Sequence, residues 1–230
     1  MSHRQNITRI KSVHNALGHL QNDIVFVGGA TISLYMDRAS EEVRPTDDVD
    51  ILIEIATYPE LEKVEEQLRK MGFKNDMYAK HALRYTIDNT VVDLMPTGNV
   101  TGVTNIWYTD GYKNSVDFAI DDLTTVKIFS SVYFIASKLE AFKSPTREYN
   151  NDGRQSKDFE DIVFILENRR SIWDELDKAD DKLNSYLQKE FKRLLAIPYF
   201  EEWLDAHTGL GSPPVSYIIF QKLREFTQKA

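Results

Sequence analysis

Two aspartates separated by one residue, Asp48 and Asp50, stand at the start of the run from Asp48 to Ile55. Polar and apolar residues alternate from Asp48 onward, which predicts a strand whose two carboxylates project from one face while Val49 and Ile51 point into the core. Two carboxylates on one face repel each other, and a divalent cation with oxygen ligands removes that repulsion. The pair is therefore a candidate metal site, although Asp-x-Asp on a strand is more often a solvated face.

An apolar strand and a glycine pair precede the acidic motif. Residues 24–27 read Ile-Val-Phe-Val, Gly28 and Gly29 interrupt the run, and Ala30 to Tyr35 has the composition to begin a helix. Two glycines at such a junction let the backbone approach a ligand, and the first-turn amides of a helix favour an anion such as a phosphate. The same pattern also occurs in many α/β proteins as plain packing.

A third carboxylate lies inside another apolar strand. Strands are predicted over Ala82 to Asp88 and Thr90 to Met95, joined by a hairpin turn at Asp88-Asn89. Asp93 lies in the second of them, where a buried carboxylate is unfavourable unless it is paired or bound to metal. Without context, backbone amides at a strand end would account for Asp93 as well as a functional role would.

Beyond residue 128 the pattern becomes helical, and one apolar helix carries a lysine. The helix predicted over Ser130 to Phe142 contains Lys138, which needs an anionic partner or an exit to solvent, and a triphosphate would serve. A second helix is predicted over Ser156 to Asn168, with its first residue as the N-cap. Asp158 and Asp161 share a face near its start, where interaction with the helix dipole explains them as well as catalysis does.

Together these residues resemble the DNA polymerase β-like nucleotidyltransferase superfamily, whose signature is a strand, Gly-Gly or Gly-Ser opening a helix, and Asp-x-Asp on the next strand. The run from Arg44 to Asp50 reads Arg-Pro-Thr-Asp-Asp-Val-Asp and resembles the AbiEii-type branch, which includes toxin-like enzymes. A second stretch, from Ile135 to Ile165, also resembles this branch. There a Lys-Leu-x-Ala-Phe-like helix precedes a Lys-Asp-x-x-Asp helix start.

The resemblance implies a nucleotidyltransferase that moves a nucleoside monophosphate from an NTP to a hydroxyl by a two-metal mechanism. The implied catalytic residues and metal ligands are Asp48, Asp50 and Asp93, which would hold two Mg²⁺ ions, with Mn²⁺ as a substitute. The implied nucleotide-binding residues are Gly28, Gly29, Thr46, Lys138 and Asp158. Arg44 and Thr46 would position the acidic strand.

Composition limits the classes of partner. The chain has 230 residues, 42% of them hydrophobic, which is enough for a substantial core in one large domain or two small ones. A net charge of −8 excludes a globally basic surface for nucleic acid, though not a local basic patch. The absence of cysteine excludes a disulfide framework and thiolate chemistry and is compatible with the cytoplasm. The N-terminal residues are polar and no apolar run is long enough to span a bilayer, so we expect neither a signal peptide nor a membrane span.

We expect an α/β fold of the α+β kind, with a mixed sheet flanked by helices over residues 1–128 as the catalytic core. Residues 129–230 are expected to form a helical C-terminal region packed on that core, with three or four amphipathic helices after Ser171. Thr97 to Ser115 is predicted as a loop whose aromatic residues cover the core.

The acceptor is expected to be an RNA or tRNA end or a protein, and a toxin-like enzyme would have an antitoxin as its partner. Two alternatives stay open at this point. One is a small-molecule acceptor, such as an antibiotic or a metabolite, with which an acidic chain is compatible if the acceptor is cationic. The other is a nucleotide-binding module without catalysis.

Overall fold

The structure, a computed structural model, describes residues 2–37, 43–79, 83–100, 102, 105–145, 152–209 and 213–229. The chain divides into two compact units: Met1–Leu34 with Ser40–Ser130, and Tyr35–Ala39 with Ser131–Ala230. The first contains a seven-stranded mixed sheet and the second is helical, so the predicted fold class is confirmed. The role of residues 1–128 as the catalytic core stays a prediction.

The sheet of the first unit carries the acidic strands near its middle. Its strands are β1 (Ile24–Val27), β2 (Asp48–Ile53), β3 (Lys74–Asn75), β4 (Arg84–Ile87), β5 (Thr90–Pro96), β6 (Val116–Asp121) and β7 (Thr124–Ile128). They lie in the order β3-β4-β5-β2-β1-β7-β6. The pairs β2/β5 and β1/β7 are parallel, whereas the other neighbouring pairs are antiparallel. The strands predicted on either side of the Asp88-Asn89 turn are thereby confirmed, although Ala82, expected to begin the first, lies outside the described residues.

Among the described residues of the first unit, three α-helices and two 3₁₀ helices accompany this sheet. The α-helices are α1 (Ser2–Ala16), α2 (Tyr58–Lys70) and α3 (Tyr108–Lys113), and the 3₁₀ helices are Gly18–Asp23 and Gly29–Leu34. α1 packs on β2 and β5 through an apolar stripe that includes the fully buried Ile10 and Val13. α2 begins with a capping box between Thr57 and Glu60, which satisfies backbone amides of its first turn.

The segment predicted as a loop between Thr97 and Ser115 contains α3, and this expectation was therefore wrong in part. Trp107, which immediately precedes the helix, is buried, and its backbone amide donates a hydrogen bond to Oδ1 of Asn105 at 3.1 Å. Burial of the indole confirms that an aromatic residue here covers the core. A helix of six residues is too short to show helical periodicity in the sequence, because it spans fewer than two turns.

The helix predicted after the glycine pair is also different from expectation. It is a six-residue 3₁₀ helix, in which the amide of Thr31 donates to the carbonyl oxygen of Gly28, three residues earlier, at 3.2 Å. Its residues from Ala30 to Leu34 are buried, and β-branched Thr31 and Ile32 are poor formers of a longer α-helix. The argument that a helix dipole binds phosphate at this junction therefore loses its basis.

The second unit consists of six α-helices over the residues that the structure describes. They are α4 (Ser131–Lys143), α5 (Lys157–Asn168), α6 (Ile172–Asp177), α7 (Asp181–Leu195), α8 (Phe200–Asp205) and α9 (Val215–Thr227). The last four confirm the helices predicted after Ser171, and Ser156 caps α5 as predicted by accepting a hydrogen bond from the amide of Phe159. The ring of Phe159 packs against Phe142, Phe200 and Trp203 at centroid distances of 5.7–5.9 Å.

No helix among the described parts of the chain is both long enough and apolar enough to cross a membrane.

Candidate active site

The register of one β-hairpin brings the first two site residues together. Asp88 and Asn89 have left-handed φ angles of 46° and 62° and form the two-residue turn between β4 and β5. Asp and Asn tolerate this conformation better than other residues with a side chain, which is why the turn forms here. Counting back from a two-residue turn pairs Arg84 of β4 with Asp93 of β5.

The parallel pairing of β2 with β5 adds the other two carboxylates. Asp50 lies directly opposite Asp93, and Asp48 precedes Asp50 by two residues and so lies on the same face of the sheet. Asp93 is buried, whereas Asp48 and Asp50 are partly exposed. The structure therefore places the three aspartates predicted as catalytic residues on two adjacent strands and one face.

Gly28 makes room for one of these carboxylates. It follows β1 with a left-handed φ of 71°, and a Cβ atom added to it would lie 1.8 Å from Oδ2 of Asp50. A carboxylate of the chain itself makes the close approach at this glycine, and the approach of a ligand to Gly28 and Gly29 stays a prediction. Gly29 begins the 3₁₀ helix.

Arg84 lies among the carboxylates, and sequence reasoning did not identify it. Its Nε and Nη2 donate to Oδ1 and Oδ2 of Asp93 at 2.7 and 2.6 Å, and Nη2 also donates to Oδ2 of Asp48 at 3.0 Å. The hydrogen bonds to Asp93 and the charges of Asp93, Asp48 and Asp50 raise the pKa of Arg84 despite partial burial. The guanidinium is therefore a permanent positive charge at this site.

The carboxylates suit a hard divalent cation in chemistry but not yet in arrangement. Three carboxylates on one face are the donor set that Mg²⁺ and Mn²⁺ prefer, and Arg84 already supplies a positive charge between two of them. As the side chains stand, no group of three acidic or histidine residues in the described part of the chain could hold a metal ion. The site therefore fits a metal only after its side chains rearrange.

Thr46 and Arg44 were predicted to position the acidic strand. Thr46 is buried, and its hydroxyl donates to Oδ1 of Asn6 in α1 at 3.3 Å, which links the segment before β2 to that helix. Arg44 is partly buried two residues earlier. These contacts are consistent with a positioning role for Thr46, whereas its part in nucleotide binding stays a prediction.

The second unit contains the remaining predicted residues. Nζ of Lys138 on α4 lies 3.1 Å from Oδ1 of Asp158, in the first turn of α5, and 2.7 Å from Oδ2 of Asp161, just after that turn. The same Nζ lies 5.6 Å from the ring centre of Phe134, which is cation–π distance. The anionic partner that the lysine required is thus supplied by two carboxylates of the chain, and nucleotide binding by Lys138 and Asp158 stays a prediction.

Comparison with known families identifies the class of protein. The family described as nucleotidyl transferase AbiEii toxin, type IV toxin–antitoxin system, matches residues 13–208. The chain belongs to this family and is a nucleotidyltransferase, which confirms the resemblance seen in the sequence. Enzymes of this kind generally use divalent metals, and the family's classification implies an NTP substrate.

Two solved structures are similar at low identity. A solution structure of the antibiotic-resistance factor ANT(2″)-Ia is 14% identical, with a TM-score of 0.49, over 88% of this chain and 99% of that chain. A crystal structure of ANT(2″)-Ia in complex with adenylyl-2″-tobramycin is 13% identical, with a TM-score of 0.47, over 82% of this chain and 98% of that chain. Similarity at this level does not extend that protein's activity to this chain. The search of curated proteins found no match.

Proposed function

We propose that this nucleotidyltransferase transfers a nucleoside monophosphate from an NTP to a hydroxyl group, using Asp48, Asp50 and Asp93. The acceptor oxygen forms a bond to the α-phosphorus, the bond from that phosphorus to the bridging oxygen of the β-phosphate breaks, and pyrophosphate leaves. The hydroxyl proton goes to a base at the site, and Asp93 takes part in this activation. The observation that carries the proposal is the pairing of Asp50 with Asp93 across two parallel strands.

The three carboxylates would hold two Mg²⁺ ions, with Mn²⁺ as a substitute. Asp48 and Asp50 would bind both ions, and Asp93 would complete the ligand set of the ion beside the acceptor hydroxyl. When bound, such ions neutralise charge on the triphosphate and lower the pKa of the attacking hydroxyl. The chain itself orients these ligands through the register of β2 and β5 and through the space that Gly28 leaves for Asp50.

The remaining predicted residues complete the proposal. Gly28 and Gly29 admit the phosphates, Thr46 fixes the start of the acidic strand, and Lys138 and Asp158 contribute to nucleotide binding. The family's type IV toxin–antitoxin classification supports a toxin role that an antitoxin opposes. We take an RNA or tRNA end, or a protein, as the acceptor, and a cationic small molecule as the alternative.

Labelled transfer tests this proposal directly. The protein is incubated with Mg²⁺ and each NTP labelled at the α-phosphate, together with total RNA, total protein or a cationic aminoglycoside. Label on one acceptor class, with release of pyrophosphate, identifies both the reaction and the acceptor. Binding of NTP without release of pyrophosphate in any of the three arms would show a nucleotide-binding module and would contradict the proposal.

Three variants separate the roles of the aspartates. Asp93→Asn is expected to keep most of its affinity for Mg²⁺–NTP while single-turnover transfer falls by about 10²-fold or more, because activation of the hydroxyl is lost. Asp50→Asn is expected to lose both affinity and transfer. Asp47→Asn, the same change at an exposed residue outside β2, is the matched control and should behave as wild type. Wild-type transfer by Asp93→Asn would exclude Asp93 from the mechanism.

A further inference from the structure

Arg84 makes contacts that a structural strand residue does not need. A single ion pair would neutralise the buried Asp93, yet Nη2 of Arg84 also reaches Asp48 on a different strand. The guanidinium thus joins two of the three carboxylates that the proposed function assigns to metal binding. It lies where a positive charge is required when no metal is present.

We propose that Arg84 is a built-in counter-cation, which binds Asp93 and Asp48 in the metal-free protein and has to release at least one of them before a divalent cation binds. The inference rests on the proposed function, because it takes these aspartates as metal ligands. The affinity for metal is then set by the difference in binding free energy between the metal ion and the guanidinium at the same carboxylates.

The geometry of the two ion pairs shows which is released more easily. Asp93 is held by two hydrogen bonds in a forked arrangement, and its side chain is only 6% exposed. Asp48 is held by one longer hydrogen bond, and its side chain is 38% exposed. Water replaces the guanidinium at Asp48 readily, so we expect this contact to break first.

The side chain of Arg84 can also leave the carboxylates for solvent. Its side chain is 31% exposed, and β4, on which it lies, is bordered on one side only by the two-residue strand β3. A long side chain with this exposure reaches solvent by rotation about its own bonds, without a change in the sheet. Exchange of the guanidinium for a metal ion therefore requires no refolding of the hairpin.

Binding of Mn²⁺ to the nucleotide-free protein tests the competition. Arg84→Met removes the charge and keeps much of the length, and we expect it to bind Mn²⁺ about tenfold or more tightly than wild type, since a charge a few ångströms away commonly shifts an ionic equilibrium by that factor. Arg84→Lys keeps the charge and is expected to stay near wild type. Free Mn²⁺ is measured by electron paramagnetic resonance.

Two controls make the result specific. Arg69→Met changes the net charge equally, at an exposed position on α2, and should leave Mn²⁺ affinity unchanged. Melting of Arg84→Met in EDTA and in Mn²⁺ gives a second readout, because Asp93 is then buried without its guanidinium. We expect a larger rise of the melting temperature with Mn²⁺ than in wild type. If Arg84→Met does not fold, the double variant Arg84→Met with Asp93→Asn removes the unpaired buried charge. This double variant is still expected to bind Mn²⁺ at Asp48 and Asp50 more tightly than Asp93→Asn alone does.

The outcomes distinguish this inference from the proposed function. If wild type binds Mn²⁺ and Arg84→Met binds it equally or more weakly, Arg84 supports the ligands and does not compete, and the inference is overturned. If neither wild type nor any variant binds Mn²⁺, and Asp50→Asn keeps the wild-type NTP affinity and transfer rate, the metal site of the proposed function fails together with the inference.

Discussion

Each unit of the molecule contains a cluster in which a cation lies between two aspartates near the predicted site residues, and these two clusters differ in exposure. In the first unit Arg84 joins Asp93 to Asp48, and the side chains of Arg84 and Asp48 are 31% and 38% exposed. In the second unit Lys138 joins two aspartates of α5, and none of these three side chains is more than 12% exposed. The same combination of charges is therefore half solvated in one unit and enclosed in the other.

This difference determines what each cluster can do. Separating charges inside a protein leaves uncompensated charge in a medium of low dielectric constant, so an enclosed cluster holds its partners. A half-exposed cluster loses much less when one pair opens, because water solvates the released groups. The cluster around Arg84 is therefore suited to exchanging its cation, whereas the cluster around Lys138 is suited to holding α4 against α5.

The largest effect on the free energy of unfolding is expected from Lys138→Met, which leaves Asp158 and Asp161 buried without the ammonium of Lys138. Removal of one partner from a buried ion pair commonly lowers the free energy of unfolding by about 3–5 kcal/mol, and we expect a loss in this range. Chemical denaturation followed by circular dichroism measures it. Lys157→Met, the same substitution at an exposed lysine at the start of α5, is the matched control and should change stability little.

The same variant decides between the two roles of Lys138. Affinity for Mg²⁺–NTP is measured beside stability, under conditions where the variant is folded. Lost stability with unchanged affinity would make Lys138 structural and would remove it from the nucleotide site. Wild-type stability with weakened NTP binding would contradict a structural role of the Lys138 cluster and support the nucleotide-binding role.

A smaller effect on stability is expected from Gly28→Ala. A side chain in the left-handed conformation costs about 1–2 kcal/mol, and the new Cβ would also collide with the carboxylate of Asp50. Displacing a reacting or ligand group by about 1 Å commonly lowers the rate by about 10²-fold, so nucleotide transfer should fall more than stability does. Unfolding and single-turnover transfer are measured on the same preparation.

Gly72→Ala is the control for the strain of the backbone alone. Gly72 also has a left-handed φ, 93°, but a Cβ there would meet only Cδ1 of Ile87 at 3.6 Å, an ordinary contact. It should lose stability similarly and keep its transfer rate. If both glycine variants transfer nucleotide equally well, the close approach to Asp50 is not needed for activity.

The fold was predictable where the pattern is local. The Asp88-Asn89 turn signal and the alternation around it correctly predicted β4 and β5, and the capping residue Ser156 correctly predicted the start of α5. The helix after Gly28 was predicted, but its 3₁₀ form was not, and the short helix α3 was missed. Both are one or two turns long, so burial against the rest of the unit decides their form more than sequence periodicity does.

The site was predictable only in part, for a physical reason. The pairing of Arg84 with Asp93 could have been read from the hairpin, because a two-residue turn at Asp88-Asn89 fixes which residues face each other. The contact from Arg84 to Asp48 requires knowing that β2 lies beside β5, and the contacts of Lys138 require knowing which helix packs on α4. Neither neighbour follows from local pattern, so the lysine's partner was expected to be a triphosphate.

The smallest effect is expected at an exposed pair, Lys11 with Asp121, whose side chains are 37% and 39% exposed. The hydrogen bond from Lys11, followed by one from the amide of Leu123, lowers the pKa of Asp121 from 3.8 to about 2. Asp121→Asn removes the charge and keeps an acceptor for that amide, so the turn before β7 is preserved. We expect its unfolding at pH 7 to match wild type within error, because water screens the pair.

The direction of the pH dependence at this pair follows from the lowered pKa. Any contribution of the ionised Asp121 is present above the unfolded value of 3.8 and is lost as the pH falls through about 2, whereas the asparagine variant has no such change. Denaturation at pH 7 and at pH 2 tests both statements. A clear loss of stability in Asp121→Asn at pH 7 would contradict the rule that exposure sets the size of these effects, and the assignment of the Arg84 cluster as exchangeable would lose its support.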